Sequence, residues 1–154
     1  MGTIRTCLWM NDQGEAAANF YVDLIPGSAI ESVMRFAPDA PPIMVNFNLG
    51  GVPYQIINGG LTYTLDPAAS ISVTTQDQEE TDRLWNALIA DGGREGQCAW
   101  CVDRFGLSWQ IVPRQLGDYL GGADQEGAAR ARDAMLQMGK IEIAALAAAY
   151  AGTA

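Results

Sequence analysis

Two glutamines are the first residues whose placement suggests chemistry. Gln55 lies in "GVPYQIIN" (51–58) and Gln110 in "GLSWQIVP" (106–113). Each stretch has Gly, two residues, an aromatic, then Gln-Ile and another β-branched residue. An amide donates and accepts hydrogen bonds but carries no charge. The chain has no His at all. That removes Ser-His-Asp and Cys-His catalysis, and it removes the commonest transition-metal ligand. The three cysteines read as free thiols. Cys98-Ala-Trp-Cys101 has C-x-x-C spacing, but in a strand positions i and i+3 face opposite ways, so an internal disulfide is geometrically poor. A buried apolar role and a reactive thiol in a pocket are the two readings of that pair.

The chain has 154 residues, 49% apolar and 18% charged, which suits one domain or two small halves. Nine basic against 18 acidic residues give a net charge of −9, which argues against nucleic acid as a partner. No run is apolar and long enough to cross a bilayer, and the N-terminus has no signal-peptide pattern. A cytoplasmic protein with no membrane partner is the expectation.

The elements that must position the glutamines repeat. Thr3 to Met10 reads as a strand, and "GEAAANFYVDLI" as a helix stopped by Pro26-Gly27. "SAIESVMRF", "PIMVNFNLGG" and "VPYQIIN" are strands, giving β-α-β-β-β. A second unit begins at about Ser70 with "SISVTT", followed by the helix "QEETDRLWNALIADGG" and the strands "GQCAWCVD" and "GLSWQIVP". "NFYVDLI" aligns with "RLWNALI" at an offset of 64 and the glutamine strands at 55, in the same order. A duplicated module with a trimmed middle explains both offsets. The modules span about 3–60 and 69–113 within a domain of residues 1–118. Residues 119–154 form an Ala-rich helical extension, broken near Gly139, that packs on its own sheet or lies at a dimer interface.

Strand parity sorts the faces. Ser108, Gln110 and Val112 share one face. Ser70, Ser72 and Thr74 share another. Asn46 and Asn48 oppose Val45, Phe47 and Leu49. Several strands thus pair an apolar face with an uncharged polar one, which lines either solvent or a wet pocket. The Ser, Thr, Asn and Gln composition favours the pocket. Trp9, Trp85, Trp100 and Trp109 read as core or interface. Asn58, before Gly59-Gly60, reads as a turn residue with a rim contact open to it.

The stretches "CLWM", "EAAANFYVDLIPGS", "ING", "DRLWNAL", "GQCAW", "DRFGLSWQIVP" and "AMLQMGKIEIAAL" together resemble the PhnB-like branch of the vicinal-oxygen-chelate superfamily, which includes glyoxalases, bleomycin resistance proteins and dioxygenases. The branch carries the label 3-demethylubiquinone-9 3-methyltransferase domain. The resemblance implies an α+β fold of paired βαβββ modules around a cavity, commonly in a homodimer. In metal-dependent members, four ligands come from the first and last strands of the two modules. Those positions resemble Thr6, Gln55, Ser70 and Gln110 here. None is His or carboxylate, so the donor set suits a divalent first-row metal poorly.

The expectation is therefore a small-molecule ligand of unknown identity in a neutral pocket formed by Thr6, Asn46, Gln55, Ser70 and Gln110, with no cofactor and no metal. A metal-dependent lyase or dioxygenase is the alternative. The methyl transfer of the family label finds no Gly-rich loop of the doubly wound kind to support it.

Overall fold

The structure, a computed structural model, describes residues 2–153. The chain forms two compact units, Met1–Leu65 and Asp66–Ala154.

The first unit runs β1 (Thr6–Met10), α1 (Gly14–Leu24), β2 (Ala29–Met34), β3 (Met44–Leu49) and β4 (Val52–Asn58). Its sheet has the order β1-β4-β3-β2, with β1 parallel to β4 and the other pairs antiparallel. Leu8, Met10, Val45, Phe47 and Ile56 alternate onto one face and are buried with Ala17, Ala18, Tyr21 and Leu24 of α1. Those four residues recur at helical spacing, which gives α1 its apolar stripe. Tyr21 meets Phe47, which stacks on Tyr54. Asn58 ties the unit together at one end. Its Oδ1 accepts from Gly14 N at 2.8 Å and its Nδ2 donates to Pro42 O at 2.9 Å. The start of α1, where Gly14 is buried and no side chain of the helix's own caps it, is thus capped from the sheet.

The second unit runs β5 (Ser70–Thr75), α2 (Gln78–Ile89), β6 (Arg94–Glu95), β7 (Trp100–Val102) and β8 (Ser108–Pro113), in the same order β5-β8-β7-β6. The fold is therefore α+β with two βαβββ modules, as the repeat predicts. Asp77 caps α2 by accepting from Glu80 N, while Glu80 accepts from Gln76 N. Leu84, Trp85 and Leu88 of α2 bury against Cys101, Trp109 and Ile111.

Local differences from the sequence pattern have clear causes. Thr3 to Arg5 lie outside β1. The two-residue β6 completes the second module and is too short to show a period. The predicted "GQCAWCVD" strand shrinks to Trp100–Val102 because Cys98 and Ala99 have φ of 54° and 74°. Their N–H groups turn away from the sheet and donate to Met138 O and Gly139 O at 2.8 and 2.9 Å. Cys98 therefore precedes the strand that holds Cys101, and both thiols are free.

Three helices follow: α3 (Gln115–Leu120), α4 (Gln125–Met135) and α5 (Ile143–Ala151). The division expected at residue 118 falls inside α3, and the helices belong to the second unit. Leu116, Ile141 and Leu146 form a buried cluster with Ala99, against which Val112, Tyr119, Leu120, Met135 and Met138 pack. Gly139 lies in the link between α4 and α5, where a β-carbon would stand 3.0 Å from Gly96 O. Arg130 caps α5 by donating to Ala149 O and Tyr150 O. Among the described residues no helix is long and apolar enough to cross a membrane.

Candidate functional site

In the first unit, strand register places four side chains in a row across the sheet, on the face away from α1. Cys7 pairs with Gln55, Gln55 with Asn46, and Asn46 with Ser32. The row is hydrogen-bonded. Gln55 Nε2 donates to Asn46 Oδ1 at 2.8 Å, and Asn46 Nδ2 donates to Ser32 Oγ at 2.9 Å. The amide groups are thus used in sequence, and Gln55 Oε1 accepts no hydrogen bond from the described residues.

The next row on the same face is apolar. Trp9 pairs with Ile57, Ile57 with Met44, and Met44 with Met34. Trp9 is half-buried, and its indole N–H donates to Gly60 O at 2.8 Å, which fixes the ring. Tyr63 meets it edge-on, with centroids 5.0 Å apart. A β-carbon at Gly59 would overlap the Trp9 ring, so glycine is required there by close approach. On the other side of the polar row, Arg5 donates to Tyr54 O and pairs with Glu31 at 2.5 Å, linking the residue before β1 to the irregular stretch of β2.

In the second unit, Ser72 pairs with Gln110, and Gln110 with Trp100. Ser70 lies one row along, opposite Ser108, and its Oγ accepts from Gln110 Nε2 at 2.8 Å. Again the glutamine donates within its own sheet, and its Oε1 has no protein donor among the described residues.

The five residues expected at the site divide as follows. Asn46 and Gln55 are bonded to each other in the first unit. Ser70 and Gln110 are bonded to each other in the second. Thr6 stands apart. It is opposite Tyr54, in register with the face that buries Leu8 and Met10, whereas Cys7 is the β1 residue beside Gln55. Thr6 and Ser70, the positions the resemblance points to, differ by 64 as the two helices do, but the strand registers pair the glutamines with Cys7 and Ser72, which differ by 65. A slip of one residue exchanges the faces of a strand. Trp9 and Trp100, which the sequence pattern assigns to core or interface, share the glutamine faces and are half-buried. Parity within "CLWM" carries that signal, because Trp9 alternates with Leu8 and Met10.

These donors fit a divalent metal poorly. Burial pushes the Cys7 thiol above its ordinary value, which disfavours the thiolate that binds metal. The neighbouring Gln, Asn and Ser oxygens are neutral. No group of three or more His, Cys, Asp or Glu side chains suited to a metal occurs among the described residues. Cys101 is a buried thiol pushed up to about 12, first by desolvation and then by Asp103 and Glu95. It stays protonated at neutral pH. A separate open depression of about 350 Å3 at the start of α2 is lined by Gln76, Asp77, Glu79, Glu80 and Arg83. It holds none of the five residues, and two of its acidic groups, Asp77 and Glu80, serve the helix cap.

The 3-demethylubiquinone-9 3-methyltransferase family profile matches residues 2–112. The chain belongs to this family. The match ends before α3, so the stretch "AMLQMGKIEIAAL" lies beyond it. A PhnB protein from Bacillus cereus, described as a putative 3-demethylubiquinone-9 3-methyltransferase, is similar in structure with a TM-score of 0.66 at 28% identity, over 73% of this chain and 99% of that one. A Pseudomonas aeruginosa protein gives 0.59 at 20% identity, over 73% and 98%. A Frankia glyoxylase/bleomycin resistance protein/dioxygenase domain gives 0.50 at 14%, over 73% and 91%, which places the fold in that group. No curated protein matches the chain.

Proposed function

We propose that this family member binds a small molecule on the neutral polar sheet faces that carry Gln55 and Gln110, and that it does so without a catalytic metal. The observation that carries the reading is the orientation of the two amides. Each glutamine uses its NH2 group within its own sheet, towards Asn46 or Ser70, and leaves a carbonyl oxygen for an incoming donor. An amide held in this way is preorganised, so little side-chain entropy is lost on binding. Thr6, placed on the opposite face, has no part in the proposal, and Cys7 takes its position.

The alternative is a metal-dependent lyase or dioxygenase of glyoxalase type. Its support is the fold, and fold alone does not fix chemistry. The methyl transfer in the family name is not adopted. Gly50-Gly51 makes a hairpin turn and Gly59 makes room for Trp9, so neither is a strand-to-helix phosphate loop. The homodimer implied by the resemblance belongs to the proposal. Leu136, exposed at the end of α4, is the side chain from which such a contact would start.

Metal analysis of protein purified without chelator, together with native mass spectrometry, tests the reading. The expected result is substoichiometric metal and a small-molecule adduct that is lost in Gln55→Leu or Gln110→Leu. A stoichiometric metal that these substitutions remove would overturn it.

A further inference from the structure

We infer that the Gln55 face takes a neutral ligand with an aromatic ring and an N–H or O–H donor beside it, the ring resting on Trp9 and Tyr63. This rests on the binding reading above and names the class of molecule. Two adjacent rows of one sheet face differ sharply in character. Gln55, Asn46 and Ser32 form a bonded polar row, and Trp9, Ile57, Met44 and Met34 form an apolar one.

Rows two residues apart along a strand are separated by about 7 Å. A single small molecule spans that distance with its ring on one row and its donor on the other. Met34 in the apolar row is 48% exposed, and Tyr63, which meets Trp9 edge-on, is 66% exposed. Trp9 is nevertheless locked by its bond to Gly60 O and seated by the absent β-carbon of Gly59. A locked aromatic ring at the edge of a polar row is a prepared stacking surface, and methionine sulfur adds a soft contact for an aromatic ring.

Charge narrows the class further. The charged pair bordering this face, Arg5 and Glu31, is internally neutralised. An anion would find no unpaired cation among those side chains and would approach a chain of net charge −9. A cation would find no unpaired carboxylate in the two rows. What the face offers is an accepting oxygen at Gln55 Oε1, and a neutral donor satisfies it.

The test uses the full 15N-labelled chain, with the Trp9 indole signal assigned from Trp9→Phe. Benzyl alcohol is the probe, acetamide the polar control, benzyl methyl ether the control without a donor, and benzyltrimethylammonium the cationic one. Benzyl alcohol is expected to shift the Trp9 indole and the Gln55 and Asn46 side-chain amides together. The buried Trp85 and Trp109 indoles should stay in place. Tyr63→Ala, at an exposed position, should weaken benzyl alcohol about three- to tenfold. Gln55→Leu should weaken it about fivefold and leave benzyl methyl ether unchanged. If acetamide moves Gln55 and Asn46 but benzyl alcohol leaves Trp9 unmoved, the aromatic class is wrong and the binding reading survives. Tighter binding of benzyltrimethylammonium than of benzyl alcohol also overturns the class. If no probe moves Gln55 or Asn46, both the class and the binding reading on this face fail.

Discussion

The two units share strand order, helix placement and a glutamine at the same point of the last strand, yet they complete the glutamine face differently. In the first unit, the row beyond Gln55 ends in Trp9 and Met34, and Gly59 leaves space for the indole. In the second, the corresponding row holds Thr74 and Val112, and Val112 packs against the α3–α5 cluster. The position matching Gly59 at the offset of 55 is Arg114, and a small Thr74 needs no glycine beneath it. The scaffold is thus repeated as register and core, while the walls of each face are supplied locally: an aromatic pair in one unit, a helical extension in the other.

The hairpins before the glutamine strands show the same division of labour, and the largest expected effect lies there. The first unit turns through Gly50-Gly51, with φ of 55° and 88°. The second turns around Asp103, a 2% exposed carboxylate. Its oxygens accept from Phe105 N, Leu107 N and the buried Trp109 indole at 2.8 to 3.0 Å. Asp103→Ala strands these donors and should cost about 3–4 kcal/mol. Asn48→Ala, which removes one exposed bond to Gly51 N, should cost less than about 1 kcal/mol. Urea unfolding of both variants checks the contrast. Equal losses would mean that the carboxylate is not what holds the second hairpin.

A smaller effect sharpens the contrast at the glutamine faces. Gly59→Ala forces a methyl group into the Trp9 ring and should cost about 1–3 kcal/mol. It should also break the indole bond to Gly60 O, which the Trp9 indole 15N–1H signal reports. Arg114→Ala, at the matching and exposed position of the second unit, should leave stability within about 0.5 kcal/mol. A silent Gly59→Ala would mean that Trp9 is not seated as described.

Much of this contrast was legible in the sequence. Apolar alternation in "PIMVNFNL" and "SISVTT" gave the correct faces for Asn46 and Ser70, because burial on one side enforces a period of two. The repeat gave the module and placed both glutamines. Three things were hidden. The resemblance points to Thr6 by its place in the first strand, and a resemblance does not fix strand register to the residue. A one-residue difference there exchanges Thr6 for Cys7. Two-residue β6 has no period to read. The docking of Cys98 and Ala99 onto Met138 and Gly139 depends on backbone bonds between segments about 40 residues apart, to which no side-chain pattern testifies.

That docked extension carries the smallest effect, and its sign is fixed by two opposed shifts. Lys140 Nζ lies 2.5 Å from Asp82 Oδ1 and 3.0 Å from Glu142 Oε1, and Gln78 brackets the same link by bonds to Ile141 O and Ile143 N. The hydrogen bond from Lys140, then that from Gln78, lowers Asp82 below its ordinary 3.8. The bond to Asp82 chiefly raises Lys140 above 10.5. A depressed carboxyl contributes stability above its unfolded value, lost as pH falls through the folded one. A raised ammonium contributes below its unfolded value, lost as pH rises through the folded one. The pair should therefore steady the α4–α5 link across the whole window between, and fail at both limits. With side chains 23% and 40% exposed, solvent screens the pair to less than about 1 kcal/mol. Lys140→Met should lower the urea midpoint slightly at pH 7, and by less at an acid pH beneath the lowered Asp82 value, where the carboxyl has lost its charge. An equal loss at both pH values would assign the effect to the packing of the lysine stem instead. The Gln78 clamp, which does not titrate, should then be what keeps the extension on its sheet in acid.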